Sequence, residues 1–128
     1  MKPILLILIV IFFSFLFSDE LPVSVDLNRF LDDSSNTIFD FNYQMPYNSL
    51  KFEKTDSGFS ANLKVEYLLT MDKEIVDEGD FINKLIFPNQ EMTRSGKLFR
   101  DKISVTLPSS VYTMHISFTD IHSALNTT

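Results

Sequence analysis

Phe59-Ser60-Ala61-Asn62-Leu63-Lys64-Val65-Glu66-Tyr67-Leu68-Leu69 is the stretch that decides the fold class of this chain. Phe59, Ala61, Leu63, Val65, Tyr67 and Leu69 fall on one side of an extended backbone. Ser60, Asn62, Lys64 and Glu66 fall on the other, and Leu68 is the only exception. A strict period of two is the signature of a strand with one buried and one solvated face.

The same alternation spreads outward from this segment. In Thr37 to Met45, Phe39, Phe41, Tyr43 and Met45 alternate with Ile38, Asp40, Asn42 and Gln44. In Val111 to Thr119, Tyr112, Met114, Ile116 and Phe118 alternate with Thr113, His115, Ser117 and Thr119. Ile103, Val105 and Leu107 form a shorter set against Lys102, Ser104 and Thr106. Turn chemistry separates these runs. Pro46 lacks a donor and Asn48-Ser49 is turn-prone, so the strand from Thr37 should end near Met45. A short strand begins at Leu50 and Phe52. Thr55-Asp56-Ser57-Gly58 reads as a hairpin turn with Gly58 in a left-handed conformation. Thr70 to Lys73 turns into Glu74–Glu78, and Pro108-Ser109-Ser110 divides the last two strands.

Strands recurring every ~8–12 residues, each polar on one face, predict an all-β fold: a single antiparallel β-sandwich, immunoglobulin-like, with about 7–8 strands. Only two stretches compete as helix. Asp26 to Leu31 is too short to stand alone, and Asn89 to Phe99 is polar and reads as a loop. Asp19 to Val25 is able to form an edge strand, where Pro22 is tolerated. The sandwich domain is therefore assigned to residues 36–123, preceded by a lead-in at 19–35 and followed by a tail at 124–128.

Residues 1–18, MKPILLILIVIFFSFLFS, read as an export signal. Lys2 gives the positive start, an apolar run follows from Ile4, and Ser18 is a small residue just before the polar Asp19-Glu20. The run falls short of the ~20 apolar residues of a membrane-spanning helix. Leu16 stands where a small residue is usual, so an uncleaved anchor is the alternative to a cleaved leader. Export places the chain in the periplasm or at the cell surface.

Without this segment 110 residues remain, with 10 Lys and Arg against 17 Asp and Glu, a formal charge of −7. That balance argues against a nucleic-acid partner, which needs a basic face to neutralise phosphates, and against adsorption on anionic lipid. Membrane contact is expected only through residues 1–18 if they are retained. The chain has no cysteine, which excludes disulfides, a thiol nucleophile and a thiolate zinc site. A small exported domain without disulfides points to a bacterial envelope. With glycine only at 58, 79 and 96, a glycine-rich phosphate loop cannot be built.

The candidates for chemistry each have a plainer reading. His115 lies at an outward strand position and His122 beyond that strand's end; both are expected to be solvent-exposed. No serine sits in a G-x-S-x-G turn. Asp72, Glu74, Asp77, Glu78 and Asp80 could be taken for a calcium site, but they lack the spacing of a calcium-binding loop. They read as the solvated face of a hairpin and the loop after it. Phe39, Phe41, Tyr43, Phe52 and Phe59 alternate as core residues do, not as a sugar-stacking platform. Asn126-Thr127-Thr128 is formally a glycosylation sequon. The chain is thus expected to have no catalytic, cofactor-binding or metal-binding residues, and no cofactor.

Several short stretches bear a resemblance in their order. They are Val25-Asp26 with Phe30, then F-D-F-N-Y-Q-M-P from Phe39 to Pro46, then N-S-L-K-F from Asn48 to Phe52. Gly58 to Val65 follows, and Ile116 to Ser123 ends in a D-x-x-S turn. This order resembles the N-terminal β-sandwich region of the bacterial GWxTD-domain proteins, exported and largely uncharacterised proteins of the Bacteroidetes–Chlorobi group and related lineages. The resemblance spans about residues 23–123. The chain has no tryptophan, so the naming motif is absent, and only the front portion of such a protein is matched. The resemblance implies a fold and an address. It implies no reaction, because no catalytic residue carries over. The expected function is that of a non-enzymatic structural or protein-interaction component of the bacterial envelope, with an envelope protein as partner. A carbohydrate- or peptide-binding module using a strand edge or end loops is the alternative.

Overall fold

The computed structural model describes residues 20–128. The leader assigned to residues 1–18 lies outside the described residues. The described chain is mostly strand, arranged as two antiparallel sheets.

Eight strands follow in order: β1 (Ser24–Leu31), β2 (Asn36–Pro46), β3 (Glu53–Thr55), β4 (Gly58–Met71), β5 (Glu74–Phe87), β6 (Leu98–Pro108), β7 (Thr113–Asp120) and β8 (Asn126–Thr127). A 3-10 turn (Tyr47–Ser49) follows β2, and a short helix, α1 (Gln90–Thr93), lies between β5 and β6. One sheet has the order β1-β2-β6. In the other, β4 is central. It carries β5 on one side, and β3 and then β7 along the other, and β8 adds to the outer side of β7.

Three expectations are corrected. Asp26 to Leu31 belongs to β1, which pairs with β2 along its whole length, Val25 opposite Tyr43 and Leu31 opposite Thr37. The edge strand thus starts at Ser24, at the far end of the stretch expected to form it, and runs to Leu31. Asn89 to Phe99 is not wholly a loop. The Asn89 side chain accepts from Met92 N at 3.1 Å and starts α1, and β6 begins at Leu98. The segment after Glu78 is strand rather than loop, since β5 runs unbroken to Phe87. The paired strands extend from Ser24 to Thr127.

The core forms where the alternating faces meet. Phe39, Phe41, Tyr43, Met45 and Ile103 come from the first sheet; Ala61, Leu63, Val65, Leu69, Leu85 and Phe118 come from the second. The Tyr43 and Phe118 rings, one from each sheet, stand 5.0 Å apart. Tyr47, Phe52, Phe87 and Phe99 extend the aromatic packing at one end.

Candidate interaction surface

The two lateral sides of the molecule differ in how they are closed. On the β5–β6 side, residues 88–97 join the sheets. Tyr43 adds a polar tie there: its hydroxyl accepts from Asn83 Nδ2 at 2.7 Å and donates to Asp101 Oδ2 at 3.2 Å, linking β2, β5 and β6. Burial is the main cause that pushes the Tyr43 hydroxyl above its ordinary pKa. The Asn83 bond opposes that shift, and the Asp101 carboxylate adds to it.

Among the described residues the β1–β7 side is open. Val25 and Leu27 lie opposite Tyr43 and Phe41, so they share the core-facing side of their sheet. Tyr43 and Phe41 are buried, yet Val25 is 48% and Leu27 47% exposed. Across from them β7 presents Met114, Ile116 and Phe118, the neighbours of the core-facing Leu69, Tyr67 and Val65. Between the two strands runs an apolar groove of about 370 Å³ floored by Phe41. Toward Val111 it continues along Leu27, Arg29 and Tyr112. Among the described residues only β8 adds to the outer side of β7, opposite Phe118 and Thr119. Among the described residues no strand pairs with the outer side of Thr113 to Ser117, beside the groove.

The residues singled out from the sequence are scattered. His115 is exposed on β7. His122 is not exposed as expected: its side chain is only 16% accessible. Its Nδ1 lies 3.1 Å from the Lys51 carbonyl, and its Nε2 lies 3.4 Å from Asn62 Nδ2 and 3.6 Å from Glu53 Oε2. Both ring nitrogens thus face groups of β3, β4 and the segment before β3, and none of these is a hydroxyl. Asp72 lies in the β4–β5 turn, and Glu74, Asp77, Glu78 and Asp80 spread along β5. Asp77 accepts from the Tyr67 hydroxyl at 3.4 Å. Among the described residues, no group of three or more His, Asp or Glu is gathered to hold a metal ion. Phe39, Phe41 and Tyr43 are buried, and Phe52 and Phe59 are partly so. Asn126 and Thr127 form β8.

The second polar feature is the outer face of the first sheet. Asp26, Asn28, Asn42, Gln44, Arg100 and Lys102 border a shallow depression there. Asp40, on the same face, accepts from Ser104 Oγ and from Lys102 Nζ, and these bonds hold its carboxyl below the usual range, Ser104 contributing most. The groove escaped the sequence pattern because β7 alternates like an ordinary strand, while β1, with Arg29 at an inward position and Phe30 at an outward one, does not read as a strand beyond Val25. What distinguishes it is that, among the described residues, β7 has no long outer neighbour, which no local pattern records. Among the described residues no helix is long and apolar enough to cross a membrane. Compared with family models, curated proteins and solved structures, the chain shows no match.

Proposed function

We propose that this chain is an exported, non-enzymatic interaction module of the bacterial envelope, an immunoglobulin-like sandwich that works by contact. The observation that carries the proposal is the apolar groove between β1 and β7, where core-facing Val25 and Leu27 stand half exposed among the described residues. An uncovered apolar groove of this kind marks a surface suited to a partner.

Strand order supports the immunoglobulin-like assignment. The order β1-β2-β6 matches A-B-E, β4-β7-β8 matches C-F-G, and β5 takes the place of the additional strand that variable-type domains carry beside C. Export rests on residues 1–18, and kinship with the front region of GWxTD-domain proteins rests on the motifs from Val25 to Ser123. Peptide rather than carbohydrate is favoured as the bound class. The polar depression on the first sheet has no exposed aromatic ring for a sugar to stack on, whereas the groove between β1 and β7 is lined by aliphatic side chains suited to those of a peptide.

The test is site-specific photo-cross-linking of the full chain in an exporting bacterial host. Cross-linkers are placed one at a time at Asn42, Lys102, Ile82, Leu27 and Ile116. Discrete adducts in the envelope fraction, with the mature chain starting at Asp19, are expected. Export without an adduct from any position would overturn the proposal.

A further inference from the structure

We infer, independently of any partner, that His122 is a proton-operated tie, which holds β4 when its ring is neutral and takes hold of β3 when the ring is protonated.

The contact at Nδ1 decides where the proton goes. Nδ1 lies 3.1 Å from the Lys51 carbonyl oxygen, and a carbonyl only accepts. Nδ1 therefore carries the hydrogen in the neutral ring, because the bond made by one ring nitrogen sets the state of the other. Nε2 is left with a lone pair, and Asn62 Nδ2 stands 3.4 Å away as its donor. An added proton has only Nε2 to occupy. The protonated ring is a donor at both nitrogens, so Nε2 loses the Asn62 amide nitrogen as its partner. Glu53 Oε2, 3.6 Å from the same atom, is the acceptor already in place. A bond between ionised groups is roughly twice as strong as a neutral one. That draws Nε2 toward Glu53 rather than toward the amide oxygen of Asn62, which would first have to turn.

The surroundings keep the rest of this corner fixed. Ile121 N donates to Asn62 O at 3.0 Å, so the end of β7 stays on β4 in either state. Buried Asp120 accepts from Lys51 N, Ser123 Oγ and His122 N, so the turn stays on the segment before β3. Asp120 is committed to those donors, and Lys51 offers the ring its carbonyl. Lys64 on β4 is paired with Glu66 at 2.7 Å, and Lys84 on β5 stands opposite Asn62. Among the described residues Glu53 is the charged side chain that reaches the ring.

The consequence falls on β3. Its three residues are exposed, and among the described residues it pairs with β4 alone, Glu53 opposite Ser60 and Thr55 opposite Gly58. With a neutral ring, lifting β3 from β4 leaves the Nε2 bond intact. With a protonated ring, the same opening breaks it. Acid thus fastens β3 to the corner that already holds Lys51.

The test is NMR of the full chain, labelled with 15N and 13C, between about pH 8 and about pH 5. At the upper end Nδ1 should bear the ring hydrogen and Nε2 none. On acidification Nε2 should gain a proton, and the Glu53 carboxyl carbon and the Asn62 side-chain amide should move in step with the ring. Amides of Glu53 to Thr55, corrected for intrinsic rates, should exchange about two- to fivefold more slowly in the acid form, the range of an ion pair with one exposed member. Glu53→Gln changes a side chain that is more than half exposed, so it should fold and abolish that gain. Protonation of exposed His115 should move neither partner. A ring still neutral at the acid end, or a hydrogen on Nε2 at the upper end, would overturn the inference. So would slowing of β3 that is absent from the parent chain or that persists in Glu53→Gln. A Glu53 carboxyl that stays still while the ring and Asn62 shift would also overturn it, because Asn62 would then have turned its oxygen to Nε2 and kept the tie on β4.

Discussion

At the scale of single residues, Asp120 shows how a short sequence motif acquires a structural role. It occupies the core-facing position opposite Leu63 and is fully buried. Its carboxylate accepts from Lys51 N and Ser123 Oγ, each at 2.7 Å, and from His122 N at 3.3 Å. The D-x-x-S turn was legible in the sequence; the bond to Lys51, 69 positions away, was not, because only the folded chain brings β7 to the segment before β3. Asp120→Ala should cost about 3 kcal/mol, since it leaves buried donors unpaired that had bonded a charge, and denaturant titration will read it. His122 belongs to the same corner. His122→Ala should cost roughly 1 kcal/mol, whereas His115→Ala, at an exposed strand position, should change stability by less than about 0.5 kcal/mol. Tyr43 gives the pH dependence. Its pKa is raised in the folded state, chiefly by burial, so its contribution to stability is complete below its ordinary pKa of 10.0 and is lost as the pH climbs above it. Tyr67 shifts the same way, through burial and then Asp77. Thermal midpoints should therefore fall steeply above pH 10, and Tyr43→Phe should flatten that fall. An unchanged slope in the variant would show that other groups control alkaline unfolding.

Secondary-structure elements were legible in proportion to how fully one face is buried. β4 and β2 read clearly because their inward positions are apolar from end to end, and the structure buries Ala61, Leu63, Val65 and Leu69 on one, and Phe39, Phe41, Tyr43 and Met45 on the other. β5 was cut short at Glu78 because its inward positions include Asp77, Gly79 and Asn83, which break the apolar alternation. Gly79 is small for a packing reason: an added Cβ would come within 2.6 Å of the Tyr67 ring. β1 was ambiguous because none of its residues is buried. The hairpin between β4 and β5 is a testable element. Asp72 and Lys73 have φ of 51° and 68°, the left-handed pair that a two-residue turn between twisted strands demands. A side chain in that region costs roughly 1 kcal/mol relative to glycine. Lys73→Gly, which makes the favoured Asp-Gly turn, should therefore raise stability by up to ~1 kcal/mol, visible as a higher denaturation midpoint with an unchanged slope. A loss of stability would mean that the Lys73 side chain makes a contact worth more than the strain.

On the scale of the whole molecule, the difference between the two sides should appear as a gradient of local stability. Amide exchange reports the free energy of opening, which is low where apolar contacts are few and high at the centre of the core. β4 has neighbours on both sides and holds four of the best-buried side chains, Ala61, Leu63, Val65 and Leu69. Among the described residues β1 pairs with β2 alone, buries none of its residues and borders the groove. β8 spans two residues. Opening β1 gives up no fully buried side chain, whereas opening β4 dismantles the second sheet and exposes the core. Amides of Leu63 to Leu69 should thus exchange at the rate of global unfolding, and those of β1 and β8 orders of magnitude faster. On the closed side, Tyr43, Asn83 and Asp101 link β5 and β6 to the core, so their inward-facing amides should fall between these limits. Hydrogen exchange followed residue by residue by NMR checks the ordering. Protection of β1 equal to that of β4 would mean that β1 is held by more than its pairing with β2, so that the groove beside it is closed in the isolated chain.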